Sequence, residues 1–376
     1  MNRIQTLIAA LAAVPLLAMA QAAPGYTFTL LNTAGVSYSS ATAINNNAGQ
    51  VAGSVGFSTA TRWTNTSPTA LARLGGDNTQ AFGINNAGQV VGYSSATGRA
   101  TFWSNTSAVD LGTLGGRASA AYGINNAGQV VGASMITGNT ASHATLWNGT
   151  SATDLGTLGG TSSRANGINN AGQMVGVSSI TGNTASHATL WIGTSATDLG
   201  TLGGTSSEAA AINDAGQVVG LSALAGDTVV HATLWNGTSA TDLGALGGMN
   251  SRARSINTGG QVVGSSFTGL NVNTNRRATL WNGNSVIDLN SLLDANTVSA
   301  GWVLGVANGI NDSGWITGDA YNTVTGAEFA FLLTAVPEPE SLALMLAGLG
   351  VLGAVLRRRR EQGPATVGSP GPCPPR

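Results

Sequence analysis

One unit, copied along most of the chain, constrains the fold more than any other feature. It reads Gly167-Ile168-Asn169-Asn170-Ala171-Gly172-Gln173-Met174-Val175-Gly176, then His187-Ala188-Thr189-Leu190-Trp191, then Asp198-Leu199-Gly200-Thr201-Leu202-Gly203-Gly204. The Ile-Asn element recurs at Ile44, Ile84, Ile124, Ile168, Ile212, Ile256 and Ile310, at intervals of 40, 40, 44, 44, 44 and 54 residues. The tryptophan element recurs at Trp63, Trp103, Trp147, Trp191, Trp235 and Trp281, with Ala330-Phe331-Leu332-Leu333 as a degenerate seventh copy. A period of about 40–50 residues made of short strands is that of propeller blades.

Each unit offers four strands. The first ends at Gly-Ile-Asn, and the Asn-Asn-Ala-Gly that follows tolerates the positive φ of a tight hairpin. The second is Gln-Val-Val-Gly, whose adjacent valines predict burial on both faces and whose glycine predicts close approach of a neighbouring sheet. The third is His-Ala-Thr-Leu-Trp. The fourth is expected around Asp-Leu-Gly-Thr-Leu. No stretch of the repeats carries a helical period, and Gly, Asn, Thr and Ser at this density oppose one.

The strand count does not divide evenly along the chain. Fourth strands follow only six of the seven units, at Leu71, Leu111, Leu155, Leu199, Leu243 and Leu289. An extra strand, Tyr26 to Leu31, precedes the first Ile-Asn. The prediction is an all-β, seven-bladed β-propeller of ~44-residue repeats whose last blade is completed by the N-terminal strand, leaving no open edge. A parallel β-solenoid is the alternative; its coils are usually shorter, and it needs caps that the sequence does not offer.

Composition narrows the chemistry. The 376 residues include 54 glycines but are 42% hydrophobic, with positive mean hydropathy, unlike a disordered chain. There is no lysine, only 8% of residues are charged and the net charge is -1, so no basic field draws the chain to nucleic acid. No Gly-x-Ser-x-Gly elbow is present, and the single cysteine, Cys373, lies near the C-terminus. His143, His187 and His231 share one repeat position and read as copies of a polar group at a strand start rather than as a metal site. Asp110, Asp154, Asp198, Asp242 and Asp288 are equally periodic and read as turn acceptors. The expectation is a body without catalytic residues, metal or cofactor. The one tryptophan per unit is expected in the core. Trp302 and Trp315 stand outside that pattern and are the candidates for stacking on a sugar.

The two ends predict export. Arg3, the apolar run Leu7 to Ala18, and Ala18-Met19-Ala20 or Ala20-Gln21-Ala22 form a signal peptide over 1–22, a substrate for signal peptidase. The repeat body occupies 25–335. Beyond it, Val336-Pro337-Glu338-Pro339 precedes sixteen uncharged residues, Ser341 to Leu356, and then Arg357, Arg358, Arg359 and Arg360. The prolines separate the body from one C-terminal apolar helix about 24 Å long, close to a membrane span once the arginines snorkel. Those arginines keep the C-terminal side cytoplasmic and the body outside.

The segment 336–360 resembles the PEP-CTERM sorting signal of Gram-negative bacteria, in its order of Pro-Glu-Pro, apolar helix and arginine cluster. That resemblance implies recognition by a membrane exosortase: an inner-membrane-anchored precursor, cut near the Pro-Glu-Pro and moved to the cell surface or exterior. It also implies association with exopolysaccharide and biofilm. Residues 361–376, rich in Pro and Gly, extend past the point where such signals usually stop and read as a disordered tail. The repeats resemble the extracellular HAF repeat through His143-Ala144-Thr145, His187-Ala188-Thr189 and His231-Ala232-Thr233, with Thr in place of Phe; this resemblance implies export and no particular activity. The reading is an exported, non-enzymatic surface or matrix protein. A lectin-like propeller and a secreted polysaccharide-degrading enzyme are the alternatives.

Overall fold

A computed structural model describes residues 25–47, 49–95, 98–269 and 275–336. The signal peptide, Pro337, Glu338, Pro339, the apolar helix, Arg357 to Arg360 and the tail lie outside the described residues. The body is all-β: 28 strands form seven four-stranded antiparallel sheets. Innermost strands of successive blades touch around the ring, and the first touches the last, so the seven-bladed propeller is closed.

The third blade shows the rules. It comprises β10 (Gly115–Ile124), β11 (Val130–Ile136), β12 (Ser142–Asn148) and β13 (Ser151–Asp154), running from the axis outward. Val130 and Val131 are both buried because the blade is covered on each face by a neighbour. Gly132 is required inside its own blade rather than between sheets. A bulge between Ala121 and Gly123 presses β10 inward, and a Cβ on Gly132 would collide with the Ala120 carbonyl. Trp147 is fully buried between blades, against Val91, Ala100 and Leu111 of the preceding one. Trp63, Trp103, Trp191, Trp235 and Trp281 repeat that packing.

The fourth strand lies earlier than expected. It is Ser-Ala-Thr-Asp (Ser151–Asp154 here), and Leu-Gly-Thr-Leu is the link to the next blade. Asp154 Oδ1 accepts the Gly156 N–H at 2.8 Å, and Gly156 turns the chain at φ 69°. An Asx turn and a positive-φ glycine end the strand although Leu155 and Leu158 alternate like strand residues. Leu155 is buried under the blade.

The last blade closes as predicted. β26 (Trp302–Ile310), β27 (Ile316–Asn322) and β28 (Glu328–Ala335) are followed outward by β1 (Tyr26–Leu30). Tyr26 pairs with Ala335 and Leu30 with Phe331, so the edge of β28 is covered by the other end of the body. Leu333 takes the place of the tryptophan: it pairs with Ile316 as Trp147 pairs with Val130. The long 54-residue interval holds a 3-10 turn, Leu289–Leu292, and a one-turn helix, Ala295–Ser299, capped by Asp288 and Asp294.

Candidate functional site

The axis of the ring has two ends of different character. At one end the Ile-Asn elements meet. Asn45 Nδ2 donates to the Asn85 carbonyl at 3.0 Å, Asn85 to Asn125, Asn125 to Asn169 and Asn169 to Asn213, each at 3.1 Å. Asn213 continues to Asn257 at 3.1 Å, Asn257 to Asn311 and Asn311 back to Asn45, both at 3.2 Å. Seven buried asparagines thus close a ring, each speaking to the next blade. The same side chain also holds its own hairpin: Asn169 Oδ1 accepts the Gln173 N–H at 2.9 Å, and Nδ2 donates to Gln173 Oε1 at 2.7 Å. Donors and acceptor of the amide are all used, as a buried polar group requires. The following residue adds an outer ring, with the Asn126 N–H donating to Asn170 Oδ1 at 3.0 Å and the Asp312 N–H to Asn46 Oδ1 at 2.7 Å.

Trp315 belongs to this end. It stands where six other units carry Gln, its N–H donates to Asn311 Oδ1 at 2.9 Å, and its ring lies against Gly49 of the first blade. The corresponding glutamines reach the same glycine of the next blade, as Gln129 reaches Gly172. Trp315 is half-buried at the seam between the last and first blades, beside Trp63 and Leu332. Trp302 lies elsewhere, at the start of β26, half-buried between Phe28 at 6.1 Å and Phe329 at 6.0 Å between ring centres. The structure does not bring the two tryptophans into one pocket.

At the other end of the axis the repeat is not uniform. The residue two before each Ile of the Ile-Asn element lines the channel, and the seven are Thr42, Phe82, Tyr122, Asn166, Ala210, Arg254 and Asn308. Arg254 and Arg276 line a cavity of about 380 Å³ at this mouth together with Asp319, Asn308, Ser40 and Phe82. The same two arginines also line an adjoining cavity of about 400 Å³ with Arg252, Asn250, Ser265 and Phe267.

The carboxylates near this mouth are already engaged. Glu208 accepts from Arg164 at 2.6 Å and from Asn166 Nδ2 at 3.0 Å. Asp319 accepts the Ala41 N–H at 3.2 Å and Asn308 Nδ2 at 2.9 Å. Burial pushes the Asp319 carboxyl above the usual carboxylate range, against the pull of its hydrogen bonds. Arg252, Arg254 and Arg276 take part in none of the arginine ion pairs among the described residues. Arg254 is exposed by area, yet its charge is enclosed by the channel wall. That enclosure lowers it from the ordinary guanidinium value, and repulsion from Arg276 lowers it further.

The repeated histidines are not at the axis. Each pairs with an aspartate of its own blade: His143 Nδ1 with Asp154 Oδ2 at 2.8 Å, His187 with Asp198 at 2.7 Å, His231 with Asp242 at 2.8 Å. Arg99 and Arg277 take the same position opposite Asp110 and Asp288, at 4.0 and 3.8 Å. The position sets a nitrogen-bearing side chain opposite a carboxylate, imidazole in three blades and guanidinium in two.

Residues 335–360 match the PEP-CTERM protein-sorting motif. That motif marks an exported protein, membrane-anchored before processing by exosortase. No curated protein matches the chain. Among solved structures, the chain is similar to a Trypanosoma rangeli sialidase in complex with the inhibitor DANA, at 11% identity and a TM-score of 0.37. The match covers 87% of this chain and 58% of that one. The chain therefore spans less than two thirds of the sialidase, and a likeness at this level assigns no activity to it.

Proposed function

We propose that this chain is a non-enzymatic surface or matrix protein with HAF-type repeats, whose propeller associates with exopolysaccharide in a biofilm after signal peptidase and exosortase have acted. The observation that carries the reading is where the sorting motif sits relative to the sheets. β28 ends at Ala335, and the motif starts at that residue. Removal of residues 1–22 leaves β1, which begins at Tyr26, complete. A cut near Pro337 to Pro339 falls after the last strand. Both processing events flank a ring that is already closed, so the folded body can be released without losing a hydrogen-bonded edge.

Low charge and a surface rich in Ser, Thr and Asn suit contact with hydrated polysaccharide. Trp302 and Trp315 enter this reading as aromatic platforms, each with one part of its ring committed to packing. The test is binding of the purified full-length chain to exopolysaccharide from the producing cells. Saturable binding that weakens in Trp302→Ala or Trp315→Ala supports a lectin-like role. No binding by the folded chain removes the polysaccharide association, and release of reducing ends by the purified chain removes the non-enzymatic reading.

A further inference from the structure

Four of the nine arginines in the repeat body fall in one blade, at 252, 254, 276 and 277, although that body carries thirteen carboxylates and is net acidic. Arg277 is accounted for by Asp288. The other three share one cavity with Asn250 and Ser265. At the repeat position of Arg252 the neighbouring blade carries Glu208, and at that of Arg254 it carries Ala210. Neither arginine joins blades as the asparagines do, and among the described residues no carboxylate makes an ion pair with either; Asp319 and Glu208 offset the charge of Arg254 only from a distance. Clustering three guanidinium groups with no ion pair among them costs free energy, and the one carboxylate of the axial cavity, Asp319, does not balance them, so the site is poised to take up an anion. Planar guanidinium forks match a carboxylate or sulfate bidentately, and the amide and hydroxyl beside them suit sugar hydroxyls.

We infer that the cavity bounded by Arg252, Arg254 and Arg276 binds the acid group of an anionic saccharide, a uronate-type unit of an extracellular polymer. The inference deepens the polysaccharide reading above and rests on it. Arg254 and Arg276 face both adjoining cavities, so the acid group sits between them with the sugar ring extending toward Phe267 on one side or Phe82 on the other. Asp319, across the axial cavity, repels the ligand when ionised. Burial raises this carboxyl above the usual carboxylate range, so as pH falls the opposition is lost earlier than it would be with an ordinary aspartate.

The test measures binding of the full-length chain to polygalacturonate and to neutral dextran. Arg254→Gln, Arg276→Gln and Arg254→Lys are compared, with Arg73→Gln on another blade as control and the near-ultraviolet spectrum as the check of folding. The expected result is polygalacturonate binding that weakens with salt and falls about tenfold in each Gln variant, less in Arg254→Lys, with Arg73→Gln unchanged. Polygalacturonate binding untouched by both Gln variants overturns the site and leaves the polysaccharide reading standing. Dextran binding alone overturns the choice of an anionic ligand and also leaves that reading standing. Binding of neither polymer by the folded chain overturns the anionic site, and the assay with exopolysaccharide from the producing cells decides the wider reading separately.

Discussion

The two ends of the central channel are built from the same strands and teach opposite things about a repeat. At the Ile-Asn end all seven units present the same asparagine, and every one makes the same bond to the next blade. At the other end the residue three positions earlier differs in every unit but for the asparagines of the fourth and seventh, and the charges are distributed unevenly. Where a position has a job in joining blades, each blade must do it, and the side chain cannot vary. Where neighbouring copies diverge on a shared wall, the ring itself sets no requirement. The uniform end is the architecture, and the divergent mouth is the part free to recognise something.

That comparison breaks most visibly at the asparagine ring. Asn169→Ala removes the partner of the Gln173 N–H and Oε1 and the bond to the Asn213 carbonyl, and should cost about 2–4 kcal/mol in denaturant unfolding. A cost below about 1 kcal/mol would mean that the ring is decoration. Trp315→Gln is the next step down. It restores the residue that six units use, at the price of buried indole surface over Gly49, and should destabilise by about 1–2 kcal/mol. A neutral result would show that the seam tolerates either residue, leaving the indole free for a ligand role.

A smaller effect is read from pH. The Asp319 carboxyl is raised by burial, so its folded state favours the protonated form. Its contribution to stability is therefore present in acid and lost as pH rises from the ordinary carboxylate range through the raised value. The groups facing it are Arg254, Asn308, Ser40 and Tyr38. Asp319→Asn should flatten that part of the stability profile, and an unchanged slope would assign it to other groups. Smallest of all, Arg254→Ala should shift stability by no more than about 0.5 kcal/mol, since it relieves repulsion from Arg276 and breaks no ion pair. A large loss would place Arg254 among the architectural residues and erase the distinction between the two ends.

The fold was legible because its period, strand lengths and odd strand count are all local properties of the text. Tyr26 to Leu31 could be assigned to the last blade by counting alone, and the pairing of Tyr26 with Ala335 agrees. The fourth strand was misplaced because Leu155 and Leu158 alternate as a strand does, whereas the Asp154 turn and the φ of Gly156 decide the chain's path. The asparagine ring was hidden for a different reason. A hairpin explains Asn-Asn-Ala-Gly well enough, and the second partner lies a whole repeat away. The arginine cavity was readable only as disagreement between copies, at Glu208 against Arg252 and Ala210 against Arg254. Its opposing Asp319 comes from a different strand of the last blade, where no repeat pattern points.

Hydrogen exchange of the full-length chain with and without polygalacturonate tests most directly whether the divergent mouth is the working end. The account predicts new protection in the backbone of 250–256 and around Arg276, with the Asn-Asn loops unchanged because the ring already protects them. Protection gained at those loops, or nowhere in the ring, would contradict it.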